Sequence, residues 1–356
     1  MSLSIAINGR FRHRRITGVE RYAHEVSKRL QTRKRFVSPQ KPLGQFSGHL
    51  WEQFILPHLV FKDEILWSPA NTSAWGVTRQ AITLHDASVF DHPEWFRPAY
   101  AAWTRLSWKI LAKRAKAIIT DAAFSRNRLK LHLGIPAEKL HVIHLGVGNP
   151  FLPQSRRSIE AVQEKYGLRK PYFLFVGTME PRKNLQALLQ AWEFADLNEY
   201  ELFVAGTESA GHVFNATNHG HLIRHAESQY AASTAPLPDR QRVTYVTDQD
   251  LPALYSGAAA LVFPSLYEGF GLPILEAMAC GAPVIVSDIP VFREIFEGAV
   301  LFVNPRKPNE IAETMQRIIE DKRLAATMRE QGLKTTKERT WDKTAANTLA
   351  VLERMA

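Results

Sequence analysis

Residues 264–288, PSLYEGFGLPILEAMACGAPVIVSD, hold the end of a strand, a loop, a helix and the next strand with almost no slack. The preceding apolar run, 258–263, reads as a buried parallel strand that Pro264 and Ser265 break at its carboxyl end. Glu268 follows in a loop between Tyr267 and the pair Gly269 and Gly271, glycines that allow positive φ and close approach of a ligand to the backbone. Pro273 suits a first helical turn, so 272–280 is predicted helical, with Glu276 on its second turn and Gly281 as its stop; 283–287 is the next strand. In an open parallel sheet, ligands bind at the carboxyl ends of strands, beside helix amino termini that attract anions. Two acceptor-only carboxylates on that rim suit the hydroxyls of a sugar or a ribose and would repel a phosphate. A solvated or merely capping glutamate is the ordinary alternative, and the flanking glycines and Pro273 argue against it.

The spacing of Glu268 and Glu276 within these flanks resembles the signature of the retaining glycosyltransferases of family 4. That family has the GT-B architecture, an α/β fold of two Rossmann-like domains facing across a cleft. The resemblance implies a nucleotide diphosphate sugar as co-substrate. It places Glu268 against the donor sugar and Glu276 on the nucleotide ribose, with Gly269, Phe270, Gly271 and Leu272 in the same donor site.

A second strand, glycine loop and helix occupy 172–193, with GTMEPRKN at 177–184 between the strand over 172–176 and the helix over 185–193. The forked guanidinium of Arg182 and the mobile ammonium of Lys183, beside helix N–H groups, are what a diphosphate needs without a metal. The loop is similar to the family's donor-phosphate loop, which assigns Gly177, Arg182 and Lys183 to the leaving diphosphate. No Asp-x-Asp metal motif occurs, so metal independence and no cofactor are expected.

The first half begins with a strand over 4–7 and a basic loop over 8–17 that contains Arg10, Arg12, Arg14 and Arg15. Gly18 opens a helix over 19–30 with Glu20 in its first turn, where the dipole favours an acid. The G-x-G-x-x-G spacing of dinucleotide binding is absent, which weakens an oxidoreductase reading. By resemblance, Gly18 belongs to a loop that helps form the cleft, and Arg10 lies on the acceptor side. Strands over 65–67 and 81–84 follow, the second leading into His85 and Asp86 on the ligand rim. The family carries a His-Asp facing the transferred sugar. His85 is therefore expected to orient sugar or acceptor, and Asp86 to hold its imidazole or mark the acceptor side.

The segment 97–116 is helical by period and carries Tyr100, Trp103, Trp108 and six basic residues. It could lie on an anionic bilayer or pack its tryptophans on the sheet. The first domain with its linker is read as 1–165 and the second as 166–339. The segment 340–356 is read as a terminal helix that, in this family, crosses back to the first domain. The polar stretch 208–238 contains His212, His219, His221 and His225, in a spacing that matches no zinc site.

Of the 356 residues, 45% are hydrophobic and 22% charged, which describes a globular protein of two ordinary domains. No apolar run is long enough to span a bilayer, no basic n-region precedes the first strand, and the single Cys280 excludes an internal disulfide. A cytoplasmic protein is expected, in peripheral contact with the inner face of an anionic membrane on one reading. Residues 1–165 hold 26 Lys+Arg against 12 Asp+Glu, so this half carries the whole of the net charge of +10. Such a half calls for an anionic partner, and the absence of any helix-turn-helix or RNA-binding signature sets nucleic acid aside.

Together these readings predict transfer of a hexose with retention, mannose from GDP-mannose being favoured over UDP- or dTDP-linked sugars. The acceptor would be a glycan or a polyprenyl-diphosphate-linked saccharide in cell-surface polysaccharide or lipopolysaccharide synthesis. The rival from another class is a basic membrane- or nucleic-acid-binding protein without turnover. Replacing Glu276 or Lys183 by Ala is expected to remove activity while leaving the fold.

Overall fold

A computed structural model describes residues 3–208, 213–214 and 241–356. The histidines His212, His219, His221 and His225 lie outside the described residues. The chain forms two compact units: residues up to Gly146 with Arg339–Ala356, and Val147–Glu338.

Each unit is a Rossmann-like domain built on a six-stranded parallel sheet. The first contains β1 (Ser4–Asn8), β2 (Arg33–Val37), β3 (Ile65–Ser68), β4 (Gln80–Thr83), β5 (Ala117–Thr120) and β6 (Leu140–Val142), in the order β2-β1-β3-β4-β5-β6. The second contains β7 (Tyr172–Met179), β8 (Glu201–Glu208), β9 (Gln241–Thr244), β10 (Ala260–Phe263), β11 (Val284–Ser287) and β12 (Leu301–Val303), in the order β12-β11-β10-β7-β8-β9. Central strands of such sheets are covered on both faces and read as unbroken apolar runs. Accordingly β10 and β11 are buried at every residue, and so are β3, β4 and β5. Phe173, Phe175, Val262 and Ile285 meet Leu188, Trp192, Ile311 and Met315 in one core cluster of the second unit.

Strand order reverses between β1 and β3 in the first unit and between β7 and β10 in the second. Chain leaving neighbouring strands in opposite directions opens a crevice at their carboxyl ends. The loops after β7 and β10 carry the candidate donor residues, so the second switch point positions the site.

The boundary differs from the one expected at 165. Helix Arg156–Lys165 belongs to the second unit, because Lys165 and Tyr166 both bond Asp250 Oδ2 at 2.7 Å. A Cβ on Gly257 would lie 2.7 Å from Ile159, which shows how closely this helix packs on Leu251–Gly257. The last helix, Trp341–Glu353, belongs to the first unit and packs on Gly18–Arg29. The helix expected at 97–116 spans Pro98–Arg114 and buries Ala101, Thr104, Ser107, Trp108 and Leu111. Trp108 donates to the Asn71 carbonyl at 2.9 Å, so one face of this helix packs inward, as the second of the two readings has it.

Candidate active site

After β7 the chain passes Glu180, a 3-10 turn over Pro181–Lys183 and Asn184 at φ 56° before helix Leu185–Ala195. Asparagine tolerates this left-handed conformation better than most residues. Its side-chain amide donates to the carbonyls of Pro264 at 3.1 Å and Pro305 at 2.7 Å, and Leu266 N donates to the Arg182 carbonyl at 2.7 Å. The loop after β10 is thereby tied to the loop after β7, and Glu268 meets both cations. Lys183 Nζ lies 2.6 Å from Glu268 Oε1, and Arg182 Nη1 lies 3.0 Å from Oε2. Arg182 Nε donates to Glu180 Oε2 at 2.5 Å, and the Lys183 ammonium sits 4.8 Å from the centre of the Phe263 ring.

Glu180, Lys183 and Glu268 are all buried. Burial alone would push the Glu268 carboxyl up, but Lys183 and Arg182 hold it below the usual carboxylate range. Two cations and two carboxylates carry no net formal charge. Arg182 and Lys183 are therefore not the bare anion site that the sequence suggests, because a diphosphate bound here takes its donors from Glu268 and Glu180.

Gly271 caps helix Leu272–Ala279 at φ 103°, and a Cβ there would lie 2.8 Å from Phe292. Only glycine fits such a position. Gly269 does not share the positive φ expected of it, and Gly177 lies within β7, opposite Gly206, rather than in a loop. Phe270 and Leu272 are buried, the former edge-on to Phe296, so their side chains serve the core. Glu276 is also buried and accepts from Tyr255 OH at 3.1 Å. Tyr255 belongs to no motif, and the sequence gives no signal for it. Burial pushes the Cys280 thiol up, which fits a packing residue and not a nucleophile.

In the first unit, Thr17 precedes Gly18 at the start of helix Gly18–Arg29, and its N–H and hydroxyl both donate to Glu20. Arg10 is buried against Glu52, with Nη1 at 2.7 Å from Oε2 and Nη2 at 2.9 Å from the Gln45 carbonyl. Glu52 also accepts from Asn8 and Thr72, so Arg10 is part of a structural network at the end of β1.

His85 is buried, with Nδ1 2.7 Å from Asp121 Oδ2 and Nε2 3.0 Å from the Pro69 carbonyl. The partner of the imidazole is thus Asp121, at the end of β5. Asp86 instead accepts from the N–H and hydroxyl of Ser88, at 2.8 and 2.6 Å. A carbonyl accepts, and so does an ionised carboxylate, so these two neighbours favour the protonated form of the His85 ring, while burial raises the Asp121 carboxyl above its usual range. Burial alone would lower the pKa of the ring, but Asp121 raises it above the usual histidine value. Both ring nitrogens are engaged by Asp121 and the Pro69 carbonyl.

Comparison with known proteins decides the family. The model for glycosyl transferases group 1 matches residues 158–335, half of the chain, and that for glycosyltransferase family 4 matches 45–148. O-antigen chain mannosyltransferase B of Escherichia coli is 30% identical over 295 residues, which cover 81% of this chain and 74% of the relative. The chain is a family 4 glycosyltransferase. This glycosyltransferase is also 31% identical over 232 residues to the O-antigen chain mannosyltransferase RfbU of Salmonella typhimurium, covering 64% of the chain and 57% of that protein. Among structures, it superposes on Anabaena HepE in complex with UDP-glucose at a TM-score of 0.76 and 17% identity, covering 99% and 100% of the two chains. WaaG, a glycosyltransferase involved in lipopolysaccharide biosynthesis, gives 0.72 at 14% identity, covering 98% and 99%. At these identities the glycosyltransferase shares the GT-B fold with both.

Proposed function

We propose that the enzyme moves a mannosyl residue from GDP-mannose, with retention, onto a glycan or polyprenyl-diphosphate-linked saccharide during synthesis of an O-antigen-type polysaccharide. The observation that carries this reading is the Lys183–Glu268–Arg182 network at the β7/β10 switch point, followed by Glu276 on the next helix. The choice of mannose is supported by the relatives, which are O-antigen and serotype-specific mannosyltransferases.

Departure of the diphosphate builds negative charge on phosphate and positive charge on the anomeric carbon. Arg182 and Lys183 exchange carboxylate partners for phosphate oxygens and take up the first of these. Glu268 faces the sugar hydroxyls, and Glu276, oriented by Tyr255, holds the ribose. The bond from the anomeric carbon to the phosphate oxygen breaks while the acceptor oxygen bonds that carbon on the same face. The acceptor proton passes to the leaving phosphate, so His85 need not act as a base. The reaction uses no metal, and the enzyme works in the cytoplasm at the inner face of the membrane that carries its acceptor, with no nucleic acid partner.

Thermal shift and donor hydrolysis against GDP-, UDP-, ADP- and dTDP-sugars test this, with Glu276→Gln alongside. GDP-mannose alone is expected to stabilise the wild type and to yield the α-linked product, and the variant is expected to lose that stabilisation. Turnover of a UDP- or dTDP-sugar in its place, or undiminished donor binding by Glu276→Gln, overturns the assignment.

A further inference from the structure

Helix Gln45–Phe54 has two unlike faces. One buries Gly48, Trp51 and Glu52, with Trp51 packed among Ala6, Val37, Leu56 and Leu66. The other presents Phe46, Leu50 and Phe54 at successive i+4 positions, and these are 76%, 42% and 69% exposed. Ile55, Leu59 and Phe61, just beyond the helix, are exposed as well, Phe61 at 60%. Six large apolar side chains left in water within sixteen residues mark an interaction surface.

Charge identifies the partner. Residues 3–64 contain 12 Lys+Arg and 5 Asp+Glu. Of the five acids, Glu52 pairs with Arg10, Glu64 with Arg35 and Glu25 with Arg29, Glu20 is buried, and Asp63 is the one exposed acid, so the cations still outnumber the acids by seven. The cations border the apolar face at both ends. Arg35 lies over the Phe61 ring at 4.2 Å and donates to the Leu59 carbonyl, and Arg12 lies over the part-exposed Phe36 at 4.6 Å. At the helix start, Arg10 bonds the Gln45 carbonyl, which ties Phe46 to the β1 rim where Arg12, Arg14 and Arg15 are exposed. A second copy of the chain would bring two strongly basic segments together, whereas an anionic bilayer takes both the apolar stripe and the charge.

We infer that the face made by Phe46, Leu50, Phe54, Ile55 and Phe61 seats the first unit on an anionic lipid surface. This builds on the reading that the acceptor is carried by a membrane, and it replaces the 97–116 helix as the contact. Vesicle flotation with phosphatidylcholine alone and with phosphatidylglycerol added, at low and high salt, is the test. The wild type is expected to bind only the anionic vesicles, less at high salt. Phe46→Ser with Phe54→Ser should weaken binding by about tenfold per side chain at unchanged Tm, while Leu106→Ser, on the exposed face of helix Pro98–Arg114, should change nothing. Because Cys280 is buried, Phe54→Cys accepts a polarity-sensitive label at position 54, and its emission should shift blue on anionic vesicles. Transfer to a soluble acceptor should survive the serine substitutions, which separates this surface from the donor site. Wild-type protein that ignores anionic vesicles, a double variant that binds undiminished, or a dimer that the same substitutions dissolve would each overturn the inference.

Discussion

Lys183 is the residue for which the structure most changes the expected outcome of mutation. Its ammonium is buried against the Glu268 carboxylate, so Lys183→Ala leaves a buried charge short of a partner and should cost about 3–5 kcal/mol. We therefore expect Lys183→Ala to lower Tm as well as activity, contrary to the sequence expectation of an intact fold. Lys183→Met with Glu268→Gln should recover most of the Tm and none of the transfer, measured by thermal denaturation and donor turnover side by side. A pH prediction follows from His85. Its folded pKa is raised by Asp121, so the pair stabilises the fold fully below the unfolded value of about 6.5 and loses that contribution as pH rises through the folded value. The Tm difference between wild type and Asp121→Asn should thus be largest at mildly acidic pH and shrink on the alkaline side; a difference that grows with pH would refute the raised pKa of His85.

At the scale of elements, the turn from Glu268 into helix Leu272–Ala279 depends on backbone geometry. Gly271 combines φ 103° with a Cβ direction blocked by Phe292 and Ile274, whereas Gly281 has φ 78° and nothing within 4 Å. Gly281→Ala should cost only the conformational strain, about 1–2 kcal/mol. Gly271→Ala adds steric overlap to that strain and should be the more destabilising by chemical denaturation, with loss of donor binding because Glu268 and Glu276 flank it. The turn after β10 was legible because glycine, proline and an apolar strand specify it locally. Strand β2, RKRFV, and helix Gln45–Phe54 were not legible. An edge strand with charged, partly exposed residues lacks the buried-strand pattern, and a helix that turns three large apolar residues to solvent lacks a polar face.

For the whole molecule, the binding of a donor to one unit should appear as added stability. At a hundredfold excess over Kd a ligand contributes about 2.7 kcal/mol, which raises the Tm of a unit this size by roughly 5–10 °C. Chelator should leave both that shift and the transfer rate unchanged, and loss of either after EDTA treatment, with recovery on adding a divalent metal, would disprove metal independence. No described helix is long and apolar enough to cross a membrane.

The sequence by itself determined the alternating strands and helices, the two-domain plan and the placement of Arg182, Lys183, Glu268 and Glu276 at and just beyond two strand ends. These are set by local patterns: apolar runs, glycine and proline at turns, and spacing along one helix. Only the tertiary structure decided the partners. Asp121 in place of Asp86 at His85, Tyr255 at Glu276, Glu52 at Arg10, and Glu268 at Arg182 and Lys183 all come from segments distant in the chain. The physical reason is that a buried polar group must find a hydrogen-bonding partner across the packed interior, and which one it finds depends on strand order and packing that no local pattern encodes.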